Sequence, residues 1–317
     1  MKISIDEISY QLASKTENIS DLIFDNPSWD QEKIMSTTGV QDRFVSDKNE
    51  SALSLGVLAA KKIDKEILKE IDLCIFVSQS PEYALPTTAC IIQDRLNLNK
   101  NCAAFDINLG CSGFPYALSV VSSMLENHIC SKALIICSDT YTKYIKKDNR
   151  ACRPLFSDAA AAIIVSKSKD SKIGPFIFGT DGSGAENLIV RNSASNIENG
   201  VEKTLYMNGA EVLLFTMSNV PKGIRKLVKD AELDIEDIDM LFLHQASKVV
   251  MSNIQRILKV PDSKFPTNFE NHGNTVSATI PILMAQEAEK GNLQRGMTIL
   301  LFGFGVGYSY GGCIVEY

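Results

Sequence analysis

The chain has 317 residues, 45% hydrophobic and 22% charged, an ordinary globular composition with enough mass for a large buried core. Its net charge of −6 lacks the basic footprint of a general nucleic-acid binder. No apolar run reaches the roughly 18 residues of a membrane span, and residues 1–15 have no signal-peptide core or cleavage pattern, so no membrane association and a cytoplasmic location are expected.

Short apolar strands alternate with amphipathic helices along the chain, which argues an α/β fold. In the first half the pattern predicts a helix over 52–63, a buried strand over 71–77, a helix over 87–98 and a strand over 102–107. A long helix over 111–127 and strands over 133–137 and 161–165 follow. The second half runs through a helix over 220–231, a strand over 238–243, a helix over 248–258 and a short extended segment over 265–269. A helix over 274–290 and strands over 297–302 and 312–317 complete it. The order of elements thus appears twice, at a period of about 165 residues, which indicates a duplicated domain and not a solenoid. The expected halves are 1–165 and 166–317, with the polar stretch 192–202 as an inserted loop.

The duplication brings reactive residue types to one place. Cys111 opens the third helix of the first half, Asn274 opens the third helix of the second, and His244 ends the strand that matches Phe76-Val77. Strand ends and helix starts gather at one face of an open α/β sheet, where ligands bind. The eight cysteines form no C-x-x-C pair, so zinc and thioredoxin-like readings are weak, and most lie in apolar runs as small buried thiols. Cys111 differs. It follows a strand and small residues in Asp106-Ile107-Asn108-Leu109-Gly110 and starts a helix, whose free N–H groups and partial positive charge favour a thiolate.

Of the three histidines, His128 lies in the polar end of a helix and His272 in the turn Asn271-His272-Gly273. His244 sits at the mouth of a buried strand, a costly place for an imidazole unless it is paired or used. Asn274 suits a helix N-cap, and its amide can also donate to a developing oxyanion. The loop Gly303-Phe304-Gly305-Val306-Gly307 offers backbone N–H groups for the same purpose and does not fit the phosphate-binding G-x-x-x-x-G-K pattern.

Together these segments resemble the thiolase superfamily, in its β-ketoacyl-acyl-carrier-protein synthase III branch. The likeness runs nearly end to end: Thr38-Gly39-Val40, Ala104-Phe105-Asp106, Cys111-Ser112-Gly113-Phe114, His244-Gln245-Ala246, Gly273-Asn274-Thr275 and the terminal glycine-rich loop. The resemblance implies a duplicated five-layer αβαβα sandwich built as a homodimer. It implies that Cys111 takes an acyl group from a coenzyme A or carrier-protein thioester, with the oxyanion on the N–H groups of Cys111 and Val306. His244 and Asn274 would then stabilise the enolate left when a malonyl thioester loses CO2, and no metal or other cofactor is called for. It also assigns Arg150, Lys248, Leu85 and Phe304 to substrate binding, Leu85-Pro86 being the loop that gates the acyl tunnel of the dimer partner.

The family's Trp-x-x-x-Arg-Thr-Gly start, which grips coenzyme A, is Lys33-Ile34-Met35-Ser36-Thr37-Thr38-Gly39 here, with the lone Trp29 four residues too early. Val249 stands where the family has an arginine, and the family's Phe-Gly-Asp-Gly-Ala-Gly-Ala is Phe156-Ser157-Asp158-Ala159-Ala160-Ala161-Ala162. An altered rim around an intact centre makes acyl carrier protein the expected donor, with acetyl-coenzyme A a poor one. Lys222, Arg225, Lys226 and Lys229 share one helix face, with Arg256 near a second, and would dock the acidic carrier. Rival readings are transfer to an alcohol or amine, which needs no decarboxylation, and a Cys-His-Asn hydrolase. A hydroxymethylglutaryl-coenzyme A synthase would need a glutamate near Gln79. A non-enzymatic partner subunit would be expected to lose the nucleophile.

Overall fold

The structure, a computed structural model, describes residues 2–197 and 199–317. A five-stranded sheet runs in the order Ile3–Leu12, Ala159–Lys167, Lys132–Asp139, Leu73–Val77, Ala103–Ile107, the last three parallel to one another. A four-stranded sheet runs Met240–Leu243, Thr298–Gly305, Ser309–Glu316, Lys172–Thr180, with only its first pair parallel.

Period-two alternation decides which layer each strand residue joins. Leu73, Ile75 and Val77 face the middle of the molecule, while Cys74 and Phe76 face an outer layer that contains the helices Ala52–Ala60 and Thr88–Arg95. In the second sheet Ile299 and Leu301 face the middle, and Leu300 and Phe302 face the helices Gly209–Asp230 and Lys248–Leu258. Two helices, Gly113–Glu126 and Thr279–Glu289, fill the space between the sheets. Phe114, Leu118, Val121 and Leu125 of the first are fully buried, each contributing about 1.5–3 kcal/mol by leaving water. The order helix, sheet, helix, sheet, helix gives five layers. The first sheet ends at Lys167 and the second begins at Lys172, so position 165 falls inside a strand. Both sheets share the central core, so each half covers the other.

Several elements differ from the periodicity reading. The edge strands Ile3–Leu12 and Lys172–Thr180 are additional to it. The segment 265–269 forms no strand, and Phe269 already begins a short helix, so the second sheet has no counterpart of Ala103–Ile107. The helix expected from 220 begins at Gly209, with Pro221 inside it instead of at its first turn. The helix expected from 111 begins at Gly113. The one expected from 274 begins at Thr279, after a 3-10 turn over Val276–Ala278. Val276, a β-branched residue at φ +56°, breaks the helical path there. The described residues of 192–202 form turns between the paired strands Leu188–Val190 and Leu205–Met207, and position 198 of that loop lies outside the described residues.

Candidate active site

Cys111 follows the strand Ala103–Ile107 and the tight segment 108–110. Close approach explains the small residues around it. A Cβ on Gly303 would lie 2.5 Å from the Cys111 carbonyl oxygen, and one on Gly305 would lie 3.2 Å from its Sγ. The glycine-rich loop therefore lets the strand Thr298–Gly305 and its turn press onto Cys111 from the opposite half. The backbone N–H groups of Cys111 and Val306 point at the sulfur and favour its anion. Burial is the larger effect, and Asp139 adds to it, so the Cys111 thiol is pushed well up. This reverses the direction expected from a helix start. The helix begins two residues beyond the sulfur, and the dry surroundings outweigh the N–H groups.

His244 follows Met240–Leu243 and is buried. Its Nδ1 lies 2.8 Å from Thr279 Oγ1 and its Nε2 3.3 Å from Asn274 Nδ2. Burial lowers its pKa to about 3, against a smaller upward pull from the Val276 carbonyl, so the ring is neutral across working pH. Phe304 packs edge-on against it, with ring centroids 5.5 Å apart. Thr279 Oγ1 also lies 3.1 Å from the Val276 carbonyl. With its proton there, the hydroxyl accepts Nδ1–H and Nε2 accepts from Asn274. Turned to Nδ1, the hydroxyl leaves the ring proton on Nε2.

Asn274 does not cap a helix in the expected way. Its backbone bridges Phe156, donating to Leu155 O at 2.9 Å and accepting from Ser157 N at 2.9 Å. Its side-chain Oδ1 accepts from Val276 N at 2.9 Å, which turns Nδ2 toward His244. The strained Val276 thus orients the amide through its N–H and reaches the imidazole through its carbonyl. Beneath lies Asp139, fully buried, accepting from Gln79 N at 2.8 Å and from Ser277 Oγ at 2.5 Å. Burial raises its pKa to about 6 against these hydrogen bonds. It ties the strand-end loop of the first half to the Asn274 turn of the second.

Cys111, His244, Asn274 and Phe304 line one cavity of about 420 Å³, together with Lys33, Thr37 and Arg150 toward its rim. Arg150 is exposed there. Lys248 does not line it: its stem covers Gly39 and Val249 takes the place at the wall. Leu85 is 81% exposed and does not line this cavity. His272 faces Gln286. Lys222, Arg225, Lys226, Lys229 and Arg256 are all exposed, on the two helices whose N-terminal portions wall the cavity. Lys226 pairs with Asp230 at 2.5 Å, and Arg225 donates to Ile257 O at 2.8 Å across the helix pair. Among the described residues no group of acidic, histidine or cysteine side chains could hold a metal ion.

Sequence reasoning missed Thr279 and Asp139 as parts of the site. Asp139 had a signal, a carboxylate just past the apolar run Leu134-Ile135-Ile136-Cys137, the same kind of placement that marks His244. Thr279 had none, because only the fold brings it to the imidazole.

A five-layer sandwich with thiol, imidazole and carboxamide around one cavity is the plan of the thiolase-fold condensing enzymes, which make β-ketoacyl thioesters. Two family models match, 3-oxoacyl-[acyl-carrier-protein] synthase III over residues 105–182 and its C-terminal counterpart over 228–317. A β-ketoacyl-[acyl-carrier-protein] synthase III of Clostridium tetani is 32% identical over 96% of this chain and 95% of its own. A solved 3-oxoacyl-(acyl-carrier-protein) synthase III superposes with a TM-score of 0.96 at 36% identity, covering 100% of both chains. The 3-oxoacyl-(acyl-carrier protein) synthase of Burkholderia xenovorans LB400 does so at 0.93 and 30%, over 99% of this chain and 93% of that one. The chain belongs to the β-ketoacyl-acyl-carrier-protein synthase III family and is a condensing enzyme. Membership sets the hydrolase reading aside.

Proposed function

We propose that Cys111 carries the acyl group and that His244 and Asn274 drive the decarboxylation of a malonyl thioester bound in the same cavity. The observation that carries this is the meeting of the three side chains from two halves, with His244 Nε2 3.3 Å from Asn274 Nδ2. In the first step Cys111 Sγ attacks the thioester carbonyl. The N–H groups of Cys111 and Val306 hold the oxyanion, the carrier thiolate departs, and the Cys111 proton ends on it. In the second step the malonyl carbon–carbon bond breaks, CO2 leaves, and the electron pair forms an enolate. Asn274 Nδ2–H and His244 Nε2–H donate to its oxygen, the latter in the tautomer that Thr279 permits. The carbanion attacks the Cys111 thioester, the tetrahedral adduct expels the thiolate, and the sulfur takes up a proton. No step requires a metal or other cofactor.

The donor is an acyl carrier protein. The rim has Lys33 and Thr37 where the family's coenzyme A grip is Trp and Arg, and the exposed cations of the helix pair suit an acidic carrier. A homodimer is supported by the sheet edge at Ala103–Ile107, whose outer backbone groups need a cover, and by the exposed Tyr83 and Leu85. No described helix is long and apolar enough to cross a membrane, and a cytoplasmic site of action accords with substrates on a soluble carrier.

The test separates the two steps. His244→Ala and Asn274→Ala should keep Cys111 acylation, read by intact mass, while CO2 release from malonyl carrier falls roughly 10²–10³-fold. Acylation lost in step with CO2 release would overturn the division of roles.

A further inference from the structure

A second cavity, about 240 Å³, is lined by the polar Gln79, Asn108, Tyr141 and Ser193 and by apolar residues that include Leu205 and Val306. Val306 belongs to the loop whose N–H faces the sulfur, so this space continues from the acyl carbonyl. It is smaller than the roughly 300–1,000 Å³ of drug-sized sites. Within it Tyr141 Oη donates to Gln79 Oε1 at 2.6 Å. Tyr141 is buried among Phe156 and Tyr144, and burial pushes its phenol well up, so it stays a neutral donor. The Gln79 carboxamide is held against Gly110, where a Cβ would lie 2.4 Å from Oε1. With Oε1 engaged, Nε2 has no acceptor among the described residues, and Gln79 lines the cavity. None of the residues that line it is a cation, and the buried Asp139 carboxylate accepts from the Gln79 backbone N–H.

We propose that the acyl group accepted by Cys111 is short and uncharged and bears a hydrogen-bond acceptor, a hydroxyl or oxo group, in its first few carbons, which Gln79 Nε2 reads. An alkyl chain there would cover the Nε2 donor without pairing it. A carboxylate would meet Asp139 with no cation to offset it. The proposal rests on the reading of Cys111 as the acyl carrier.

The test compares butyryl, β-hydroxybutyryl, γ-hydroxybutyryl and succinyl groups, each on acyl carrier protein, by the rate of Cys111 acylation in rapid-quench intact mass. One hydroxybutyryl group should load about tenfold faster than butyryl, and succinyl should be slowest. Gln79→Met, unbranched and similar in length, should bring the hydroxybutyryl-to-butyryl ratio to about one. Should that variant misfold, Gln79→Leu removes the same donor at similar volume, with the same expected collapse. Equal loading of butyryl by the wild type, or a preference that survives in the variants, would overturn the proposal. Failure of every group to load would instead remove the nucleophile reading beneath it.

Discussion

Replacing Thr279 by valine removes one oxygen at nearly constant shape, and the structure says what that oxygen does. His244 can donate from Nε2 to an enolate only if its Nδ1 is bare, and a bare Nδ1 needs a donor. The Thr279 hydroxyl, 2.8 Å away, is that donor. Without it, Nδ1 has no donor to accept from, and nothing keeps the ring proton on Nε2. Forcing the productive tautomer then costs about 1–3 kcal/mol, the penalty of an unpaired buried polar group. That corresponds to a roughly 5- to 150-fold slower decarboxylation. The assay is CO2 release from malonyl carrier by enzyme already acylated on Cys111, with acylation followed separately by intact mass. Thr279→Val should slow CO2 release by that factor and leave acylation near wild type. Thr279→Ser, which keeps the hydroxyl, should restore it. A folded Thr279→Val enzyme releasing CO2 within about twofold of wild type would refute the tautomer argument.

Asp139 makes stability depend on pH. Its folded pKa is raised from 3.8 to about 6 by burial, so the stability it contributes is present below about pH 4 and is lost as pH rises through 6, about 3 kcal/mol in all. Urea unfolding across pH 4–6.5 should show that loss in wild type relative to Asp139→Asn, whatever constant offset the substitution brings. Gly303→Ala puts a Cβ 2.5 Å from the Cys111 carbonyl oxygen, backbone that cannot swing away, and should destabilise by about 1–3 kcal/mol in the same measurement. Reversing Lys222 and Arg225 to glutamate should raise KM for carrier substrates roughly three- to tenfold at low salt, less at high salt, and leave coenzyme A thioesters unaffected.

Much of this site was legible because its chemistry lies where regular elements end. Cys111 and His244 stand beside short, largely apolar runs of strand length, and the glycine-rich loop marks a close approach that the Cβ distances confirm. Other features depend on contacts between distant segments. The start of a helix favours the Cys111 thiolate locally, but desolvation governs the sulfur. Asn274 reads as a cap, yet its backbone is taken by Phe156, and the break at Val276 moves the helix on to Thr279. Lys248 stood next to the family's arginine position in sequence, but helical geometry turns it away from the cavity while Val249 faces in. Tyr141 lies in an unremarkable polar stretch, and only packing brings its phenol to Gln79.

The central claim is a covalent acyl-Cys111 intermediate consumed by a decarboxylated malonyl unit. Mass spectrometry of enzyme incubated with acyl carrier thioester should show one added acyl group on the Cys111 peptide. A chase with malonyl carrier should remove it, with CO2 and β-ketoacyl carrier formed in equal amounts. An adduct that forms on Cys111→Ser enzyme and still turns over, or one that persists through the chase while product appears, would contradict the account.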